Sequence, residues 1–434
     1  MGYGEPGGKE GAMRAIREQS NRPGHRRRGA ARALLSGALV TVVLLAGGCT
    51  GDGDGPSWQD GDAESGPKAT ASITAPAADA TDVPASTEIA LTTTDAVSTT
   101  VEVKDAAGAA VEGELSEDGT SWLPAGQLDY GTAYTATVTA TGDDGKPATV
   151  SSTFTTMPEP ANQVRVTSFL GDGQVVGVGM PLIINFGRDI PEKYRADVQR
   201  RMTVTATPAQ EGIWHWVSGT EVRYRPKEFW QPNTQLAYKI QTGGLPMGDG
   251  WYGRSDLTVD AKVGASVIME VDNRTKKMTV RKNGKVVRTI PVSLGKPKTP
   301  SSSGTMVVIE KLKETVFDTR DAPDPDNRYV IDIEYAQRIT WGGEFIHSAP
   351  WSVASQGKSN VSHGCVNMSE ANAKWLFGQT TIGDPITVKG TERRLQNGNG
   401  WTEWNMSWDE YVKGSAIPYE APADADLASP APGA

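Results

Sequence analysis

Two cysteines, Cys49 and Cys365, are all this 434-residue chain contains. A disulfide framework is therefore excluded, and β domains built from this sequence must hold together without an internal bridge. Histidine is nearly as scarce: His25, His215, His347 and His363. One cysteine and two histidines near the carboxyl end lack a fourth ligand at the usual spacing, so neither a metal nor another cofactor is expected. An excess of cation is missing beyond residue 48 too. Residues 1–48 hold 8 of the 43 basic and 3 of the 52 acidic residues, which leaves the remainder at a net −14. That balance argues against a nucleic-acid partner, because phosphate binding needs concentrated positive charge. Helical periodicity is rare, whereas 49 glycines, 27 prolines and a hydrophobic share of 37% suit loop-rich β domains.

Long apolar runs are absent except at residues 33–46, which are too short for a comfortable membrane span. Arg26, Arg27, Arg28 and Arg32 precede that run, and Gly47-Gly48-Cys49 follow it. The order of basic, apolar and small residues is that of an export signal. Its ending resembles a bacterial lipoprotein signal, in which the cysteine is lipidated and becomes the first mature residue. Residues 1–48 are accordingly read as the signal and Cys49 as the lipidation site. Two acyl chains would anchor the protein stably to the outer face of the cytoplasmic membrane, facing the cell wall. Lipidation would consume that thiol and leave Cys365 as the only free cysteine.

Residues 49–68, rich in Gly, Asp and Ser, read as a solvated tether. Residues 69–157 show short β runs between turn signals, among them the strict alternation of residues 134–141. Their size suits an immunoglobulin-like sandwich. A second β module of the same kind is expected over residues 164–263. It contains Trp214-His215-Trp216, read as an ordinary packed strand. A third unit is expected over residues 265–389, with Asn283-Gly284 as a hairpin turn. It has one good helix candidate, capped by Ser369 and running to Gly378. Residues 390–420 carry Trp401, Trp404, Trp408 and Tyr411, rings that seldom stay in water. They are expected to fold back on the third unit, a reading favoured over a carbohydrate-stacking platform. Residues 421–434 are expected to be disordered.

The chemistry concentrates in Ser362-His363-Gly364-Cys365-Val366-Asn367. Acyl transfer by a thiol needs a proton acceptor, a group that holds that acceptor, and donors for the developing oxyanion. His25 leaves with the signal and His215 belongs to another module. His347, at the end of the strand-like Glu344-Phe345-Ile346-His347, suits a general base, and His363 suits support of the loop. Amides near Gly364 and Cys365 suit an oxyanion hole. The helix after Ser369 suits stabilisation of a thiolate at its amino end.

The pattern His347-Ser348 followed by the Ser362–Asn367 hexapeptide resembles the catalytic motif of the L,D-transpeptidase family. Val292-Ser293-Leu294-Gly295-Lys296, Thr299-Pro300 and Phe345 through Trp351 match as well. The whole order resembles the actinobacterial, mycobacterial-type enzymes: lipoprotein signal, two immunoglobulin-like domains, a β-sandwich catalytic domain with a short helix, and a tryptophan-rich extension packed on it. The resemblance implies that Cys365 attacks a tetrapeptide stem of peptidoglycan, releases D-alanine and forms a thioester. A second stem then resolves it as a 3→3 cross-link. It implies His347 as base and the Ser348 carbonyl as the group orienting the imidazole. His363, Gly364 and Cys365 would line the oxyanion region, with Ser362 and Asn367 supporting the loop. Carbapenem β-lactams would acylate Cys365. Where relatives often carry a lid tyrosine, this chain has Trp341-Gly342-Gly343. Tyr329, Trp341 and Trp351 are then the expected substrate-binding aromatics, and residues 318–328 the lid. Hydrolysis of the thioester by water, an L,D-carboxypeptidase activity, and a non-catalytic wall-binding lipoprotein are the competing readings.

Overall fold

The computed structural model describes residues 67–322, 324–325 and 328–421. Cys49, the proposed signal, most of the tether and all of the tail beyond Ala421 lie outside them. Among the described residues, no helix is long and apolar enough to cross a membrane.

The first β module is a sandwich. One sheet orders Thr70–Ala75, Ile89–Thr94, Ser121–Pro124 and Gly113–Leu115, and the other orders Ala80–Val83, Pro147–Thr156, Ala133–Thr141, Ser98–Asp105 and Ala110–Val111. Period-two patterning produces it directly. Along Ala133–Thr141, Tyr134, Ala136, Val138 and Ala140 are buried and alternate with more exposed threonines. Trp122, Leu91 and Phe154 close the core from both sheets.

The second module has two four-stranded sheets and a small three-stranded one. It also contains a helix, Glu192–Arg200, that hydrophobic periodicity did not reveal. Only Val198 and Gln199 of that helix are buried, so it has almost no apolar stripe to detect. The first two modules are docked on each other. Arg201 donates to the Ser86 carbonyl at 2.7 Å and pairs with Glu88 at 2.9 Å. Asp256 accepts from the Gln127 and Gly243 amides.

The third unit stacks two sheets. A six-stranded sheet orders Lys285–Pro291, Lys277–Lys282, Val267–Asp272, Pro385–Lys389, Ser302–Val307 and Arg393–Arg394. The Asn283-Gly284 hairpin turn has both residues at positive φ, 48° and 80°, as a type I′ turn requires. A four-stranded sheet orders Glu310–Asp318, Val330–Arg338, Phe345–Ser348 and Val366–Met368. The helix Glu370–Gln379 is capped by the Ser369 hydroxyl, which accepts from the Asn372 amide. Val271, Val280, Ile346, Met368 and Leu376 share the core between the layers.

The second and third units also share a core. Val307 and Ile309 of the third unit pack within the apolar cluster of the second. Gly177 and Gly179 donate to the carbonyls of Ile382 and Gly383 at 2.8 and 2.9 Å. A Cβ on Gly177 would lie 2.2 Å from the Asp384 nitrogen, so only glycine permits this approach.

The carboxyl extension corrects an expectation. Its first part does lie on the third unit, where Leu395 joins the core and Arg393–Arg394 pairs with Ser302–Val307. The tryptophan-rich part packs instead mainly on the second module. Trp401 is buried in that module's core, and Trp404 donates its indole N–H to the Gly179 carbonyl at 2.7 Å. Arg225 lies over the rings of Trp404, Trp408 and Tyr411. Tyr411 stacks on His215 and donates to the Arg223 carbonyl at 2.8 Å. The physical reason is the polarity of the receiving surface: Arg223 and Arg225 are buried there and need the carbonyls, rings and the Glu403 carboxylate that the extension brings.

Candidate active site

Parallel pairing of Phe345–Ser348 with Val366–Met368 builds the site, with His347 in register with Asn367 and Ile346 with Val366. Cys365, one residue before its strand begins, is thereby brought beside the strand that ends in His347. Both come from the apolar run Phe345–Ser348, buried throughout, and from a loop that Gly364 turns at φ +130°.

His347 is 3% exposed. Its Nδ1 donates to the Ser348 carbonyl at 2.7 Å, which fixes the tautomer and leaves Nε2 as a proton acceptor. Phe317 meets the ring edge-on at 5.3 Å, and Trp351 covers it at 6.1 Å. Burial pushes the imidazole pKa down to about 4. The Cys365 residue reaches the surface only in part, and burial pushes its thiol up to about 12. Burial thus disfavours the charged form of each group. The thiol donates to the Gly343 carbonyl at 3.7 Å.

The loop is held by hydroxyls. Ser362 Oγ accepts from the Gly364 amide at 3.1 Å and donates to the Cys365 carbonyl at 2.7 Å. Ser301 Oγ donates to the Gly364 carbonyl at 2.6 Å. The Gly364 amide, expected among the oxyanion donors, is thus already engaged by Ser362. Asn367 is 3% exposed; its Nδ2 donates to Ser352 Oγ at 3.3 Å, and its backbone pairs with Ser293. Its Oδ1 is buried without a protein partner.

A pocket of about 350 Å³ opens onto the thiol, lined by residues that include Phe317, Tyr329, His347, Trp351, His363 and Cys365. Tyr329 packs on His363 at 5.2 Å, and burial pushes its phenol up to about 12. Trp351 lines the pocket with about half its surface exposed. Trp341 is a correction. It does not line the pocket but meets Trp401 edge-on at 6.2 Å, because Asn399 holds the Gly342 amide and turns the segment toward the carboxyl extension. Residues 318–328 do connect the two lid strands, Glu310–Asp318 and Val330–Arg338. Phe317, Ile331, Ile333 and Val361 also line the pocket. Sequence reading missed them, since residues 317, 331 and 333 looked like ordinary strand positions.

A family profile described as the L,D-transpeptidase catalytic domain matches residues 266–388, and one described as a bacterial Ig domain matches residues 80–246, across both β modules. L,D-transpeptidase 2 of Mycobacterium tuberculosis is 36% identical over 89% of this chain and 96% of its own length. L,D-transpeptidase 5 of the same species is 34% identical over 73% of this chain and 71% of its own. A solved L,D-transpeptidase from Mycobacterium smegmatis is 33% identical over 53% of this chain and all of its own, with a TM-score of 0.44. With a catalytic-domain profile matching the residues that include His347 and Cys365, and a relative 36% identical aligned across nearly the whole length of both chains, this chain belongs to the L,D-transpeptidase family.

Proposed function

We propose that this enzyme, a peptidoglycan L,D-transpeptidase, forms 3→3 cross-links through a thioester on Cys365. One observation carries the reading: the Nδ1 contact of His347 to the Ser348 carbonyl, which leaves Nε2 free as acceptor in the pocket that holds the thiol. In the donor half-reaction Cys365 Sγ bonds to the carbonyl carbon of the third stem residue as its proton passes to His347 Nε2. The imidazolium then protonates the departing amine, and D-alanine leaves. In the acceptor half-reaction the side-chain amine of a second stem attacks the thioester, His347 takes the amine proton, and the thiol is regenerated. Carbapenems enter by the same acylation, opening their lactam onto Cys365.

The anchoring at Cys49 and a location on the outer face of the cytoplasmic membrane belong to the same proposal. The signal-like order of residues 26–49 supports it. A Cys49→Ser variant released in soluble form, against a membrane-bound parent, tests it.

The decisive experiment incubates residues 67–421 with a disaccharide-tetrapeptide and reads the products by mass. A dimer together with free D-alanine, both lost in Cys365→Ala, supports transfer. A tripeptide without dimer would assign hydrolysis, a carboxypeptidase. No turnover by a folded protein would leave the wall-binding reading.

A further inference from the structure

The residues lining the active-site pocket include no aspartate, glutamate, lysine or arginine. A stem peptide carries carboxylates, and an uncharged apolar pocket offers them no partner. The rim does. Lys296 Nζ lies 3.0 Å from His363 Nε2, and His363 is itself a lining residue. Some cations of this unit are matched to acids: Arg320 to Asp318, Arg338 to Glu310, Arg393 to Glu344. Lys296 instead faces a neutral ring. The contact uses one of the three N–H donors of an ammonium.

Lys296 is fixed in place by its backbone. Its amide donates to the Ser362 carbonyl at 2.9 Å, and its carbonyl accepts from Thr299 at 2.9 Å. Gly295 pairs with Ser362 as an isolated bridge, so the loop carrying Lys296 is bolted to the loop carrying Cys365. His363 is further positioned by Tyr329 on the lid. Asp324, also on the lid, is close enough to act on His363 in the direction opposite to Lys296.

We propose that Lys296, seated on His363 at the rim of an otherwise uncharged pocket, receives a carboxylate of the stem peptide and so sets substrate specificity. The assignment rests on the stem-peptide reading given above. Two carboxylates share this chemistry: the terminal one of D-alanine and the side-chain one of the third residue.

Calorimetric titration of a synthetic tetrapeptide into Cys365→Ala tests it without turnover. Three peptides are used: both carboxylates free, terminal carboxamide, and side-chain carboxamide. Lys296→Gln on the Cys365→Ala background should weaken the free peptide at least tenfold, and Lys296→Arg should restore most of that affinity. Amidating the recognised carboxylate should cost the same factor in Cys365→Ala and nothing further once Lys296 is Gln. Whichever amide behaves so identifies the carboxylate. Equal binding with and without Lys296, in a variant whose thermal unfolding is unchanged, overturns the assignment alone. So do losses that simply multiply. Failure of the free peptide to bind Cys365→Ala at all overturns the stem-peptide reading, and Lys296's role with it.

Discussion

The imidazole of His347 is held by the carbonyl of its own neighbour, Ser348, at 2.7 Å. An aspartate in that place would bring a full charge to raise the imidazole pKa; the carbonyl orients the ring and raises it too little to offset burial. Replacing His347 with Gln should lower turnover by about 10²–10⁴-fold, the usual worth of a positioned acid–base group. Ser348→Ala keeps the carbonyl and should stay within a few-fold of the parent. Steady-state kinetics on the two variants checks this, and a collapse in Ser348→Ala would mean the hydroxyl matters instead.

Alkylation of Cys365 separates a neutral resting pair from a preformed ion pair. With the thiol pushed up to about 12 and the imidazole down to about 4, iodoacetamide should react slowly at pH 7 and faster toward pH 12. Substrate-driven acylation should hold a plateau above about pH 4, because the neutral imidazole persists there. Rapid alkylation that is flat from pH 5 to 9 would instead establish a thiolate–imidazolium pair.

Depression of the His347 pKa also links to stability. The folded state keeps the ring neutral, while the unfolded ring titrates near 6.5. The contribution is complete above pH 6.5 and is lost as pH falls toward about 4. Thermal unfolding of the parent should therefore decline more steeply over that window than that of His347→Gln.

Asp384 behaves in the opposite sense. It is 1% exposed, its Oδ2 accepts from the Thr381 amide at 2.6 Å, and its Oδ1 is buried without a partner. Burial raises its pKa to about 7, so the fold favours the protonated acid. That contribution is complete below 3.8 and is lost as pH rises through about 7. Asp384→Asn should unfold at a higher temperature than the parent at pH 8.5, and the gain should vanish near pH 4.

Ser362→Ala removes the partner of the buried Gly364 amide and of the Cys365 carbonyl. A loss of about 1–3 kcal/mol in denaturant unfolding is expected from the unsatisfied amide. An unchanged unfolding midpoint would show that the loop does not depend on this hydroxyl.

Much of this was legible in the sequence, and the reasons differ by element. The hairpin at Asn283-Gly284 and the Ser369 cap are local, set by residues whose conformational preferences act alone. Cys365, Ser362 and Asn367 stood out because a polar hexapeptide interrupts apolar strands, and His347 because it ends the strand-like Glu344-Phe345-Ile346-His347. Trp341 was misplaced, since nothing local tells whether a ring before a Gly-Gly turn faces the pocket or the extension. The packing of Trp404 and Tyr411 on Arg225 joins residues more than 170 positions apart and leaves no periodic trace. Lys296 was within a recognised stretch, but its contact with His363 depends on how two loops are bolted together.

The core that spans the second and third units bears on how the enzyme can be divided. Val307 and Ile309 are buried against the second module, and Gly177 and Gly179 take backbone contacts from the residues just before Pro385–Lys389. A cut at residue 265 would expose those side chains to water and orphan those carbonyls. A portion beginning near Gln163, rather than at the start of the matched catalytic domain, is expected to keep those contacts. The second module is thus built into the catalytic body through a shared apolar core, whereas the first meets it through polar contacts such as those of Arg201 and Asp256.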